Sequence, residues 1–301
     1  MRKIIITGAR GIVGFSILES LKNSNYIIYP IIQSNELPFY FPSSFINKAI
    51  KCDITNKKEL DSLFSKLNPD TIIHLAANND NNIPSNGSFH LFEINIIGCI
   101  NILDYCYQNL NKVKLIMTSS TEVLNLKLKL NNINKEIYKP YEVSKFSSEL
   151  ITQSYIDCYN LPCIILRPGS IYGGGDFNMK RFIPSMIYNY YINNIKPSSL
   201  SNDISRNFLH TDDLVEFINL IIDDDELLLL GKTINLYNQQ STKLSYLVNK
   251  FCLFIDNQFY FNSNKSVAIT KKNILNWTPS VNIDNGLLKT FNWYKNFYKK
   301  I

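Results

Sequence analysis

The sequence predicts an α/β fold, a doubly wound parallel sheet followed by a smaller α/β lobe. Three observations carry this expectation. Short isoleucine-rich runs without polar alternation recur through the first half, as in parallel strands buried on both faces. Each run is followed by a stretch of helical periodicity, the alternation that builds βαβ units. The first run ends in a glycine-spaced turn, Thr7-Gly8-Ala9-Arg10-Gly11-Ile12-Val13-Gly14, that opens the first helical stretch.

In chain order, strands are expected at 3–7, 26–32, 71–76, 114–118 and 163–166, with a short apolar run at 49–52. Helical patterns lie between them at about 12–22, 57–66, 89–110 and 142–159. After Arg167-Pro168-Gly169 the pattern is less regular, Gly173-Gly174-Gly175 breaks the chain, and helices are expected near 179–192, 212–222, 243–254 and 283–298. The expected division is 1–168 and 169–301, the second part interleaved with the first. Ligands of open α/β sheets bind beyond the carboxyl ends of the strands, so a cleft between sheet and lobe is expected.

Composition excludes several classes. At 301 residues and 45% hydrophobic the chain can bury a large core. No run of eighteen apolar residues occurs, so no transmembrane helix and no membrane partner are expected, and Ile4-Ile5-Ile6 is too short for a signal core. Six scattered cysteines form no C-x-x-C pair, which points to buried reduced thiols in a cytoplasmic protein and to no metal site. The net charge of +6 is dispersed except at Lys295, Lys299 and Lys300, and suits an anionic ligand; no basic face interleaved with aromatics suggests nucleic acid.

The glycine turn is a dinucleotide-binding signature of the Rossmann type. Gly8 permits the tight turn, Gly11 lets backbone approach a pyrophosphate, and Gly14 lets helix and sheet pack closely. The helix N-terminus at Ile12 and Val13 supplies N–H groups and a favourable dipole. Asp53-Ile54 follows the run at 49–52, where Asp53 either accepts from an adenine amine or caps the helix over 57–66. His74-Leu75-Ala76-Ala77 ends a strand; Leu75, Ala76 and Ala77 leave room for a cofactor, and His74 reads as a packed strand residue.

The second constellation is catalytic. Tyr141 and Lys145 are four apart and share one helix face. A nearby ammonium favours the phenolate of a tyrosine and lowers its pKa, making it a usable base. Upstream, Thr118-Ser119-Ser120-Thr121-Glu122 leaves a strand in a hydroxyl-rich turn, where Ser120 can donate to a substrate oxygen while Tyr141 exchanges its proton.

The glycine loop, the serine ahead of Tyr-x-x-x-Lys, Arg167-Pro168, Tyr172-Gly173, Arg206-Asn207-Phe208-Leu209-His210 with Asp212-Asp213, and Trp277-x-Pro279 together resemble the extended short-chain dehydrogenases/reductases, and within them the NAD-dependent epimerase/dehydratase family of nucleotide-sugar enzymes. The resemblance covers nearly the whole chain in order. It implies a nucleotide-diphosphate sugar as substrate and catalytic roles for Ser120, Tyr141 and Lys145. It also implies a cofactor bounded by Gly8 to Gly14, Ser34, Asp53, Ile54, the 75–77 segment and Pro168. Substrate contacts would come from Ser120, Thr121, Ser170, Arg181 and Arg206, the last binding the diphosphate. Asn95 would be a structural polar residue near the site. A homodimer is implied, with the helices at 89–110 and 142–159 pairing through residues such as Leu103, Tyr107, Ile151 and Tyr155.

Tyr172-Gly173-Gly174-Gly175-Asp176-Phe177-Asn178 with Arg181 and Pro184 resembles CDP-glucose 4,6-dehydratases. Those enzymes carry an acid where Thr121 stands, and threonine cannot protonate a leaving group. Glu122 is either a base, as in UDP-glucuronate decarboxylases, or a surface-turn residue. The principal expectation is therefore hydride transfer at C4 of a nucleotide-linked hexose, by a 4-ketoreductase or 4-epimerase, with a 4,6-dehydratase as the alternative. A catalytically silent dinucleotide-binding protein is the alternative of another class. NADP is expected over NAD: the second strand ends Ile31-Ile32-Gln33-Ser34-Asn35 without the acid that binds a ribose 2′-hydroxyl, and Arg10 resembles the loop arginine of the NADP-using GDP-fucose synthases. Under the opposite reading Arg10 is merely exposed and Glu36 reaches the ribose of NAD.

Overall fold

Ile4, Ile5 and Ile6 are fully buried in the computed structural model of the chain, so the first strand has no solvent face. The structure describes residues 1–34, 37, 40–79, 87–110, 113–130, 137–197, 203–223, 229–238, 240–257 and 277–299. Its elements, in chain order, are β1 (Lys3–Thr7), α1 (Ile12–Leu21), β2 (Ile27–Ile32), a 3-10 turn (Ser43–Lys48), β3 (Ile50–Lys51), α2 (Lys57–Leu67), β4 (Thr71–His74), α3 (Phe89–Phe92), a π-turn (Glu93–Ile97) and α4 (Gly98–Gln108). These are followed by β5 (Lys114–Thr118), α5 (Glu122–Leu130), α6 (Pro140–Tyr159), β6 (Cys163–Pro168), β7 (Ser170–Tyr172), α7 (Phe182–Tyr191), β8 (Ser205–Arg206), β9 (Phe208–His210) and α8 (Thr211–Ile222). The chain closes with β10 (Thr233–Leu236), β11 (Thr242–Lys243), α9 (Leu244–Ile255) and α10 (Ile283–Tyr298).

The chain forms two compact units, Met1–Pro168 with Asp225–Asn235, and Gly169–Asp224 with Leu236–Ile301. The first is built on a seven-stranded sheet in the order β3-β2-β1-β4-β5-β6-β10. From β3 to β6 the neighbouring strands are parallel, with Thr7 opposite both Ile31 and His74. The chain winds outward from β1 to β3, then crosses to β4 and winds the other way, which makes the β1/β4 seam the topological switch point. Ile5, Ile72, Leu115 and Ile165 from the strands meet Phe64, Ile102, Leu103 and Ile156 from the helices in one core.

The expected doubly wound parallel sheet is present, and so is the smaller lobe. The latter pairs β7 with β9 and β8 with β11, and packs α7, α9 and α10 around Ile187, Leu247, Phe251, Leu287 and Phe291. Its glycines are packing positions: a methyl on Gly174 would collide with the Trp293 ring, and one on Gly173 with Thr211.

Three expectations need correcting. The helix expected at 89–110 is interrupted by the π-turn. The segment Phe89–Gln108 is long and apolar enough, by length and composition, to cross a membrane, although no uninterrupted apolar run announced it; half of its most apolar window is buried, and it serves as a core helix. Leu103 is fully buried, and Ile151 and Tyr155 pack against the same core, so they are not the outer face of these helices. The large apolar residues exposed on α4, α6 and the π-turn are Tyr107, Leu150, Tyr159 and Ile97. Finally, Cys52, Cys99, Cys106 and Cys163 are buried free thiols, but Cys158 is exposed. Among the described residues no group of three or more His, Cys, Asp or Glu side chains is placed to hold a metal ion.

Candidate active site

The glycine turn is shaped by the seam beneath it. Gly8 has φ +68°, and a Cβ there would lie 2.7 Å from the Ala76 nitrogen, so both conformation and contact exclude a side chain. Gly14 lies against Ala9, where a Cβ would come within 2.6 Å of the Ala9 Cα. Gly11 differs: the nearest atom to its Cβ position is the Gly8 carbonyl at 3.4 Å, an ordinary contact. Among the described residues nothing demands glycine there, which fits a ligand approaching the backbone. Gly11 is also the N-cap of α1, no side chain caps the helix, and its first turn carries no acid. The positive end of α1, at Ile12 and Val13, is therefore left to an anion such as a pyrophosphate. Arg10 is exposed beside it.

The β1 and β4 ends are tied by Thr7. Its Oγ1 accepts from the N–H groups of Leu75 and Ala76, both at 3.2 Å, and lies 2.8 Å from His74 Nδ1. A hydroxyl accepting from two amides has its hydrogen left to donate, so His74 accepts at Nδ1 and carries its proton on Nε2. Burial, aided by the charge of Lys145, pushes the His74 pKa down to about 3. This histidine is a neutral strut, consistent with its reading as a packed strand residue. Leu75, Ala76 and Ala77 follow it, half-buried.

On the other side of β1, Asp53 Oδ1 accepts from Thr55 N at 2.9 Å and Thr55 Oγ1 at 2.8 Å, closing an Asx turn. The cap of α2 is Asn56, not Asp53. Ile54 packs against Gly98, and Asn101 Nδ2 donates to the carbonyls of Ile54 and Thr55 at 2.9 and 3.0 Å. Ser34 lies beyond the end of β2; Asn35 and Glu36 fall outside the described residues.

Tyr141 and Lys145 occupy the first two turns of α6, which starts with Pro140 at a position where the missing N–H costs nothing. Lys145 is 5% exposed, and its Nζ donates to the Thr118 carbonyl at 2.7 Å, where β5 ends. Burial lowers the Lys145 pKa to about 8, against the opposing influence of Cys99 and Glu149. Thr118 Oγ1 in turn donates to the His74 carbonyl at 2.8 Å. Asn95, in the π-turn, accepts from Asn78 N at 2.7 Å and donates to Asn78 O and to Ser144 Oγ, while Ser144 donates to the Tyr141 carbonyl at 2.8 Å. A polar residue that sequence reading treats as structural thus links the loop after β4 to the tyrosine turn.

The two serines after β5 part. Ser119 is 6% exposed and donates to Glu149 at 2.7 Å. Ser120 is half-buried, and its Oγ accepts from Glu122 N at 3.2 Å, which leaves its hydrogen to donate elsewhere. Thr121 N donates to the Pro168 carbonyl at 3.2 Å. Glu122 begins α5, where its carboxylate is 3.4 Å from Asn125 Nδ2. Gly8, His74, Thr118 and Pro168 all stand at or just past carboxyl ends of strands in the first unit. That is the edge where open α/β sheets hold ligands.

In the second unit, Arg181 caps α7 and is spent largely inside the lobe: it pairs with the buried Asp176 at 2.7 Å and donates to the Ile171 carbonyl. Burial holds the Asp176 pKa up despite that arginine. Arg206 is exposed on β8, opposite Thr242 of β11. The Ser170 N–H is held by the Asn207 carbonyl at 2.8 Å. Sequence reading passed over Thr7, Ser144 and Glu149; only Glu149 carried a signal, one helical turn past Lys145.

The family model described as the NAD dependent epimerase/dehydratase family matches residues 4–236. A dTDP-D-glucose 4,6-dehydratase of Dictyostelium discoideum is 27% identical over 98% of this chain and 82% of its own length. The chain spans 47% of a trifunctional Arabidopsis thaliana enzyme that includes a UDP-glucose 4,6-dehydratase, at 24% identity and over 97% of this chain. Among solved structures, a Bacillus anthracis dTDP-glucose 4,6-dehydratase in complex with NAD superposes with a TM-score of 0.78 at 20% identity, covering 99% of this chain and 98% of that one. A Thermotoga maritima UDP-glucose 4-epimerase with UDP-glucose gives 0.77 at 18% identity, covering 98% and 99%.

The buried lysine has a measurable signature. Its folded pKa of about 8 lies below the ordinary 10.5, so between these values the unfolded chain binds more protons and stability from this group rises with pH. Below pH 8 both states carry the proton and the contribution is flat. Urea unfolding of the wild type and of Lys145→Met between pH 7 and 10 should show the wild type gaining on the variant above pH 8. Parallel pH dependences would contradict the assignment.

Proposed function

The chain belongs to the NAD dependent epimerase/dehydratase family of nucleotide-sugar enzymes, and from that premise we propose that it transfers hydride at C4 of a nucleotide-linked hexose, with the residue roles below holding for oxidation and reversed in a 4-ketoreductase. The supporting observation is the pairing of Tyr141 with the buried Lys145 on α6. Tyr141 takes the proton of the C4 hydroxyl, Lys145 favours its phenolate, and Ser120 donates to the same sugar oxygen. A nicotinamide cofactor held along the glycine turn from Gly8 to Gly14 would supply the hydride acceptor, so that the C4–H pair leaves as hydride while Tyr141 takes the hydroxyl proton. Arg206, with its fork of donors, suits the diphosphate.

The relatives shift weight to the 4,6-dehydratase, the outcome that sequence reading put second. In that reaction Glu122 would withdraw the C5 proton. Thr121 favours the other reading, C4 epimerisation or 4-ketoreduction, because a threonine at that position cannot protonate a departing hydroxyl. The chain should be incubated with dTDP-, UDP- and CDP-glucose and their 4-keto derivatives, with either cofactor. Loss of one water's mass identifies the dehydratase. An unchanged mass with inverted C4 identifies the epimerase, and gain of two hydrogens by a 4-keto sugar the reductase. No product from any of them would favour a silent dinucleotide-binding protein. Tyr141→Phe should keep its fold and cofactor binding and lose turnover by about 10²- to 10⁴-fold; an unchanged rate would refute the role of Tyr141.

For the cofactor we propose NADP(H) over NAD(H), because the described end of β2 carries no acid and Arg10 is exposed beside the glycine turn. Fluorescence titration should show tighter binding of NADP than NAD, with Arg10→Ala weakening NADP selectively. Tighter NAD binding, or equal weakening of both, would defeat this.

For assembly we propose a homodimer through α4 and α6, whose outer faces expose Tyr107, Leu150 and Tyr159. Sedimentation at micromolar concentration should show a dimer; a monomer alone would count against it.

A further inference from the structure

We propose that Glu149 is a positioning residue that clamps the turn carrying Ser120 and Glu122 into its working geometry. What that turn does rests on the function proposed above, but the clamp has its own observations.

Glu149 lies on α6 one turn past Lys145 and is 4% exposed. Its Oε2 accepts from Ser119 Oγ at 2.7 Å and Arg167 Nε at 2.8 Å. Its Oε1 accepts from Arg167 Nη2 and faces Lys127 Nζ at 3.4 Å. One buried carboxylate thereby joins the turn after β5, the middle of α5 and the end of β6 to α6. Burial alone would raise its pKa, but Arg167, Ser119 and Lys127 outweigh that and hold the carboxylate ionised.

The arrangement does more than neutralise an arginine. Consecutive turns of one helix grip consecutive residues of one strand end: Lys145 holds the Thr118 carbonyl and Glu149 holds the Ser119 hydroxyl. From the other side, Leu166 O accepts from Ser119 N at 2.7 Å and Pro168 O from Thr121 N at 3.2 Å. Ser120 is bracketed by held residues, and its own hydroxyl lies outside both clamps. A buried ion pair adds little net stability against an apolar replacement, yet breaking one partner is severe. Its placement beside the catalytic turn suits precision, because a shift of about 1 Å can cost about 10²-fold in rate.

The test uses the full chain and three variants. In Glu149→Gln, hydrogen exchange of peptides covering 118–124 should quicken by about tenfold or more, while those covering the glycine turn stay as in the wild type. With whichever of dTDP-, UDP- or CDP-glucose or their 4-keto derivatives the wild type converts, kcat should fall by about ten- to a hundredfold with KM nearly unchanged. Glu149→Asp, which keeps the charge, should recover part of that loss; a general loss of stability would not split kcat from KM in this way. Ser119→Ala, which removes only the link to the turn, should give a smaller fall of the same kind, and it serves as the test if Glu149→Gln does not fold. Unchanged exchange at 118–124 in a folded variant overturns the clamp, and so does faster exchange with an unchanged kcat. If the wild type converts none of the nucleotide sugars or 4-keto derivatives named above, the proposed function fails on its own, and the exchange measurement still decides the clamp.

Discussion

The site depends on a short run of bonds that crosses the sheet at its switch point. Thr7 on β1 binds His74 and the amides after it on β4; the His74 carbonyl takes the Thr118 hydroxyl from β5; the Thr118 carbonyl takes the ammonium of Lys145 from α6. Parallel strands pair evenly along their length but end with backbone groups unspent. At these ends the unspent groups are taken by side chains of neighbouring strands and of α6. The glycine turn, the small-residue segment after β4 and the tyrosine helix are thereby held in one frame.

That frame explains why some charges can sit where they do. Lys145 is deeply buried, and burial takes away some of its affinity for a proton despite the opposing influence of Cys99 and Glu149. Glu149 is just as buried but is surrounded by cationic and hydroxyl donors, so it stays ionised. Two opposite charges one helical turn apart therefore have different tasks. The lysine has an energetically responsive proton, and the glutamate is a fixed anchor.

The sheet was legible because its strands are apolar on both faces, a pattern that solvent-facing strands do not produce. The glycine turn and the Tyr141/Lys145 pair were legible because backbone geometry and helical pitch set their spacing. α5 was not. Its leucines at 124, 126, 128 and 130 alternate with polar residues, a period of two that hides a helix. The chain forms one regardless, its first N–H accepted by Ser120, and Leu128 is left 72% exposed as a result. Thr7, Ser144 and Glu149 were overlooked because their importance lies in partners distant in sequence. For Arg181, expected to contact substrate, the motif could not reveal that Asp176 and the Ile171 carbonyl take part of its bonding capacity.

The π-turn at Glu93–Ile97 has a consequence for how this chain can vary. A π-turn accommodates one residue more than an α-helical turn, and that residue rotates everything beyond it by about 100° around the axis. α3 and α4 therefore follow different rotational phases of what is nearly one rod. The phase change lets the amide of Asn95 face the tyrosine helix while Cys99, Ile102, Leu103 and Cys106 stay in the apolar interior. Removing a single residue here would restore a regular helix and swing one of those two faces out of register. A point substitution along this segment disturbs the contacts of one side chain, whereas a change of length displaces a whole face at once.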